Sequence, residues 1–171
     1  MNTALGYRIA PGGTVAHPTI KSLVLGQFNP AAKCMWDVGA GTGQIAIEWQ
    51  KLHPDCRVYA IERDGGCIQS ICENMAIHHT PRITVVQRDV AAGLPGFATP
   101  DAIYHGCVSW TDVNLCPILW DYLAPGGTIV AVVGQGRGSA YVREAQRTIG
   151  GEIGRAGDEG FRFEYWVARK Q

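Results

Sequence analysis

The sequence predicts an α/β domain, a mostly parallel sheet with helices on both faces that ends in an antiparallel C-terminal hairpin. Three observations carry this reading. Five short apolar, β-branched runs (CMWDV, RVYAIE, RITVVQ, DAIYHG and TIVAVV) recur between about residue 35 and residue 148, each followed by a helix-length segment. Their near-continuous apolar character suits central strands covered on both sides. The tail, GEIGRAG and FRFEYWVARK around Asp158 and Glu159, reads as two strands joined by a loop, which makes that end of the sheet antiparallel.

Taken in order, PGGTVAHP is a loop and TIKSLVLGQF a short helix that could lie over one sheet edge. The helix after Gly43 places Ile45, Trp49 and Leu52 at i, i+4 and i+7, and the stretch from Cys67 places Ile68, Ile71, Cys72 and Met75 on one side. Both are expected to pack on the sheet. LAPGGTIVAVV is a helix stop, a Pro-Gly-Gly turn and a strand. The last strand, FEYWVA, admits two readings: an edge for self-association, or a strand buried in its own sheet. No repeat or linker interrupts the chain, so residues 1–171 are expected to form one domain.

Composition narrows the function. Lys+Arg and Asp+Glu number 15 each, which leaves no basic excess to attract nucleic acid. No apolar window is long enough to span a bilayer, so no membrane partner is expected. MNTALGYRIAPGG lacks the charged start and apolar core of a signal peptide, and a cytoplasmic location follows as the expectation. The six cysteines contain no CxxC pair and read as core thiols in a reducing compartment. His78 and His79 are adjacent, which points them apart on a helix, and no metal site is expected.

The most informative stretch is WDVGAGTGQIAIEW at residues 36–49. Strand, then three glycines two apart, then helix is a backbone stripped for close approach to a ligand, with free helix N–H groups behind it. A polar adenosyl ligand suits it. A dinucleotide fingerprint would need a third glycine at position 44, where this chain has Gln44, which disfavours a nicotinamide cofactor. Glu62 ends the second core strand, where an acid can accept hydrogen bonds from both ribose hydroxyls; the alternative is a solvated strand-end acid. Asp89, at the same edge, could meet an adenine amino group or cap the turn before VAAGL. Asp37 could hold loop amides, hold a ligand ammonium, or cap the turn.

DVGAGTG, IE and RD in this order resemble the class I methyltransferases that use S-adenosyl-L-methionine, over about residues 34–134. The resemblance implies a Rossmann-like class I methyltransferase fold. It divides the domain into an entry segment (1–33), a cofactor-binding core (34–134) and an acceptor-side helix with C-terminal strands (135–171). It also implies a cofactor site made by Asp37, Gly39, Ala40, Gly41, Thr42, Gly43, Glu62, Arg63, Asp89 and Val90. The chemistry implied is in-line displacement at a methyl group on positively charged sulfur, for which the enzyme mainly supplies positioning.

DVGAGTGQIAIEW followed by CRVYAIERD is similar to the decarboxylating precorrin methyltransferases of cobalamin biosynthesis, and PGGTVAHPTIKSLVL resembles that family's entry segment. Alignment on Lys21 puts Ala16 at the family's entry threonine, with Thr14 the nearest match. The fourth strand, which usually ends in a glycine pair, has only Gly106 between His105 and Cys107. The resemblance implies methylation of a ring-bridging carbon of a precorrin tetrapyrrole, C-15, coupled to loss of carbon dioxide from the ring C acetate. A polycarboxylate acceptor calls for arginines, and Arg137, Arg143 and Arg147 follow the fifth core strand, with a solvated helix face as the alternative. His105 is the candidate for proton transfer or a structural strand-end histidine. Tyr104 and Trp110 could stack on a planar ring or fill the core. The resemblance further implies a homotetramer, or fusion or association with a second methyltransferase domain. Competing readings are a methyltransferase acting on another small molecule, RNA or protein, a non-catalytic S-adenosylmethionine-binding subunit, and a nicotinamide-dependent dehydrogenase. The [DN]PP[FY] tetrapeptide of exocyclic base-nitrogen methylation is absent.

Overall fold

A computed structural model of the chain describes residues 2–4, 6–11, 16–94, 96–106, 114–134, 139–157 and 160–171. Thr14, Cys107, Trp110, Arg137, Asp158 and Glu159 lie outside these residues.

Two strands at the start, β1 (Asn2–Ala4) and β2 (Tyr7–Ile9), pair with each other as a small antiparallel sheet. Helix α1 (Pro18–Gln27) follows, with Pro18 in its first turn, where a missing N–H costs nothing, and the His17 ring accepting from the Thr19 amide. The main sheet then builds from β3 (Cys34–Val38), β4 (Arg57–Glu62), β5 (Ile83–Gln87), β6 (Ala102–His105), β7 (Thr128–Gly134), β8 (Glu152–Gly157) and β9 (Arg162–Arg169). Helices α2 (Gln44–Leu52), α3 (Gly65–Ile77), α4 (Leu115–Tyr122) and α5 (Ser139–Ile149) alternate with the strands.

The sheet order is β5-β4-β3-β6-β7-β9-β8, with β3 to β7 parallel and β9 antiparallel to both of its neighbours. From β3 the chain steps to β4 and β5 on one side, then crosses back to β6 and β7 on the other. The crevice at the carboxyl ends of β3, β4 and β6 is therefore the topological switch point, where open α/β sheets bind ligands. Alternation along the strands divides the core in two. Met35, Val58, Ala60 and Val130 pack with Ile45, Trp49 and Ile71 under α1, α2 and α3. Trp36, Val38, Ile103, Ile129 and Trp166 pack with Leu119, Tyr141 and Val142 under α4 and α5. Strands apolar on both faces are what a doubly covered sheet demands.

Several sequence expectations need correction. After β5 there is no α-helix, only a 3-10 turn at Val90–Ala92, because Gly93 adopts φ 80° and ends it. Leu52 is 61% exposed: it is the last residue of α2, which ends at the His53 cap. On α3 the buried positions are Ser70, Ile71 and Asn74, with Cys72 exposed on the far side. Cys34, Cys56 and Cys116 are core thiols as expected, whereas Cys67 is only half-buried. FEYWVA is not an edge: β9 lies between β7 and β8 with Trp166 fully buried, and β8 is the outer strand. Helix α1 lies over the edge of the sheet that ends in β8, as expected, and also reaches α2 and β7 on the same face.

Candidate active site

The chain leaves β3 through Gly39, Gly41 and Gly43, all left-handed at φ 71°, 56° and 78°. The amides of Gly39 and Ala40 both donate to the Ile61 carbonyl at 2.9 and 3.1 Å, which ties the loop to the end of β4. Gly41 and Gly43 serve different ends. A Cβ on Gly41 would meet nothing within 4 Å, so the middle of the turn faces open space. A Cβ on Gly43 would sit 3.1 Å from Ile71 Cγ2, so here the missing side chain lets α3 close against the loop. Gly43→Ala is expected to destabilise the fold by at least about 1 kcal/mol, from the left-handed backbone alone. Gly41→Ala carries only that backbone cost, so its urea midpoint should lie above that of Gly43→Ala.

Because Gly43 is the N-cap of α2, it has no side chain to satisfy the first helical amides. Asp37, on β3, supplies the cap through space: its Oδ2 accepts from the Ala46 amide at 2.9 Å. Its Oδ1 is buried without a partner among the described residues. Burial chiefly, with the Glu62 charge adding to it and the Ala46 bond opposing, pushes the Asp37 carboxyl up to about 7. A buried carboxylate with an unused oxygen behind a glycine loop fits a ligand ammonium.

Glu62 closes the crevice from β4. Its Oε2 accepts from the Gly41 amide at 2.8 Å, and its Oε1 from the Arg63 and Asp64 amides at 2.7 and 3.0 Å. Three of about four acceptor positions on the carboxylate are thus filled by backbone, which leaves room for one further donor such as a ribose hydroxyl. Asp89 caps the 3-10 turn, accepting from the Ala91 amide at 2.9 Å, and also stands 3.9 Å from Arg63 in an exposed ion pair. Exposed pairs of this kind contribute little stability. Val90 is buried behind it. Glu62 and Asp89 at the strand ends, with Asp37 buried behind the loop, disfavour a pyrophosphate and suit a cationic, hydroxyl-rich ligand, so the donor set fits S-adenosylmethionine better than a dinucleotide.

Across the crevice, the His105 ring at the end of β6 is 3% exposed, and its Nδ1 lies 2.8 Å from the Tyr141 hydroxyl of α5. Tyr141 also hydrogen-bonds Cys116 of α4, whose thiol burial pushes up to about 11. His105 is therefore built into the α4–α5 face. Tyr104 is buried in the opposite core, and a Cβ on Gly106 would come within 2.9 Å of its ring, which accounts for glycine there. Arg143 is exposed on α5, while Arg147 is paired with Glu144 at 2.6 Å and belongs to the solvated face. Arg137 and Trp110 are outside the described residues.

The family described as "precorrin methyltransferase domain" matches residues 9–160. This chain belongs to that family. The precorrin methyltransferase domain is 29% identical over 154 residues to a precorrin-6Y C(5,15)-methyltransferase [decarboxylating] of Sinorhizobium sp, covering 86% of the chain and 37% of that protein. It is 32% identical over 145 residues to the enzyme of the same name from Mycobacterium tuberculosis, covering 84% and 36%. The chain thus spans a little over a third of the length of these relatives. The crystal structure of precorrin-6Y C5,15-methyltransferase from Geobacter metallireducens superposes with a TM-score of 0.83 at 19% identity, covering 96% of this chain and 94% of that one. The fold is the Rossmann-like class I methyltransferase fold.

One residue that shapes the glycine loop, Asn74, has no role in the sequence reading, and Gln44 figures there only for the fingerprint it breaks. Asn74, fully buried on α3, donates to the Thr42 carbonyl at 2.9 Å and to the Arg8 carbonyl at 3.0 Å, and accepts from the Arg8 amide at 2.7 Å. It clamps the glycine loop to β2. A polar residue three positions after Ile71, on the buried stripe of α3, was the available signal. Gln44, at the position that excluded the dinucleotide fingerprint, is buried and donates to the Thr42 hydroxyl at 3.0 Å. The broad groove of about 730 Å³ lined by Lys33, Arg57, Arg82 and Asp55 lies at the amino ends of the strands, away from this site. Among the described residues no cluster could hold a metal ion, and no helix is long and apolar enough to cross a membrane.

Proposed function

We propose that this chain is an S-adenosyl-L-methionine-dependent C-methyltransferase that acts on a precorrin of the precorrin-6Y type. In this reading it methylates C-15 with loss of the ring C acetate carboxyl, in cobalamin biosynthesis. The observation that carries the reading is the open space in front of Gly41, whose amide is held by Glu62, with the buried, unused oxygen of Asp37 behind the glycine loop. It stands in a chain that belongs to the precorrin methyltransferase domain family.

S-adenosylmethionine, when bound, supplies the methyl group on a positively charged sulfur. Asp37 holds the ammonium, Glu62 takes a ribose hydroxyl on Oε2, and Asp89, Arg63 and Val90 border the adenine end. The open face at Gly41 lets the backbone come close, while Ala40, Thr42 and Gly43 fix the turn. On the acceptor side the bridging carbon C-15, made electron-rich by conjugation with the adjoining ring nitrogens, is itself the nucleophile, so no strong base is needed and positioning is the protein's main contribution. His105, its ring held by Tyr141, is the proposed proton carrier, and Arg143 and Arg137 the proposed carboxylate partners. Tyr104 is buried as a core residue, which leaves Trp110 as the proposed ring-stacking side chain. A homotetramer, or a fused or associated second methyltransferase domain, would meet the sheet edge at an outer strand, β5 or β8, rather than at FEYWVA.

Calorimetric titration with S-adenosylhomocysteine and, separately, NADH tests the cofactor. Binding of the first alone is expected, and binding of NADH alone would overturn it. With methyl-labelled S-adenosylmethionine and a pool of late precorrins, label should pass to the tetrapyrrole fraction. Cofactor binding with no transfer would overturn the precorrin reading in favour of another methyl acceptor or a non-catalytic subunit.

A further inference from the structure

The far end of the acceptor edge carries a charge arrangement that the cofactor site does not use. Glu164 on β9 lies opposite Val133, near the carboxyl end of β7, and opposite Arg155 on β8. It is 7% exposed, yet it carries a carboxylate. Its Oε1 accepts from Arg155 Nε at 3.0 Å, and its Oε2 accepts from the hydroxyl of Ser139, the first residue of α5. Arg143 stands one helical turn beyond Ser139, on the same side of α5, so a second guanidinium flanks the same acid. Ser139 first, then Arg155, with Arg143 adding its charge, hold the Glu164 carboxyl below its ordinary range.

The next cross-strand pair on this face is Ile153 with Trp166, an apolar contact that anchors β8 without any desolvation cost. Anchoring the hairpin therefore does not explain a buried carboxylate. What Glu164 adds is a fixed direction for Arg155, whose side chain is 79% exposed on an otherwise mobile stem. Among the described residues, two guanidiniums bear on the Glu164 carboxylate, although the chain as a whole is neutral. β8 is three strand spacings from β6, about 14 Å, so an acceptor held here while its reacting carbon sits at the cofactor crevice must be large. A tetrapyrrole with carboxylates on its rim has both the reach and the charge.

We propose that Arg155, positioned by Glu164, and Arg143 beside it form a clamp for a peripheral carboxylate of the methyl acceptor. The inference rests on the precorrin reading above and extends it to residues outside the cofactor crevice. Arg155→Gln is exposed enough to fold, and Arg143→Gln is an independent second variant. With precorrin-6Y as substrate, each should raise KM by roughly tenfold to a hundredfold, the loss of one charge-assisted hydrogen-bonding partner. The dissociation constant for S-adenosylhomocysteine should stay within about twofold. Arg155→Lys, which keeps the charge but not the fork, should fall between. If the wild type turns over precorrin-6Y and both glutamine variants keep its KM, the clamp is overturned and the functional reading survives. If the wild type neither binds nor converts precorrin-6Y, the reading itself fails and the clamp with it.

Discussion

Replacing Glu62 by alanine is expected to weaken S-adenosylhomocysteine binding by roughly a hundredfold, the loss of one hydrogen bond to a charged acceptor together with the anchor of the glycine loop. The variant should still fold, since Glu62 sits half-buried at a strand end and its bonds are to loop amides. Two effects add. The ribose loses its acceptor, and the Gly41 amide loses the carboxylate that holds the loop at 2.8 Å. Glu62→Gln should not rescue binding, because an amide NH2 would have to face one of the N–H groups that the carboxylate now accepts from. Isothermal titration on a variant shown to be folded by its thermal transition decides the matter. Unchanged affinity would remove Glu62 from the site.

The second large effect is a dependence of stability on pH that traces to Asp37. Its carboxyl is raised from an ordinary 3.8 to about 7, with burial as the main cause. Between those values the folded chain binds more protons than the unfolded one, so stability is greatest at the acid end and falls as pH rises. The slope from this one group approaches about 1.4 kcal/mol per pH unit within that window. Asp37→Asn keeps an oxygen for the Ala46 amide but cannot ionise. Urea denaturation at pH 5, 6, 7 and 8 should show a falling wild-type stability and a flatter profile for Asp37→Asn. A ligand ammonium beside Oδ1 favours the ionised form, so wild-type affinity for S-adenosylhomocysteine should also tighten from pH 5 to pH 8. Parallel pH profiles for the two proteins would show that Asp37 does not titrate in this range.

The strands of the parallel core were legible because each is short, β-branched and apolar on both faces: CMWDV and RVYAIE coincide with β3 and β4. The placement of Asp37, Glu62 and Asp89 at one crevice followed from the same strand ends, since parallel strands of a doubly wound sheet bring their carboxyl ends together. Other features have no local signature. That Leu52 is exposed depends on where α2 stops, and that β9 inserts between β7 and β8 depends on a pairing between segments far apart in the chain. Helix periodicity placed Cys72 beside Ile71 on the apolar stripe, but Asn74 occupies the buried position because it must reach Thr42 and Arg8. Asp37 as a remote cap for α2, Tyr141 on His105, and Glu164 between Ser139 and Arg155 are all tertiary contacts. Each joins residues on different elements.

The measurement that bears most directly on the central claim is the product mass after the purified chain is incubated with S-adenosylmethionine and precorrin-6Y. One methyl gained together with one carbon dioxide lost is the expected result, and Glu62→Ala should abolish it at cofactor concentrations that saturate the wild type. An unchanged precorrin beside confirmed S-adenosylhomocysteine binding would contradict the claim and point to a different methyl acceptor.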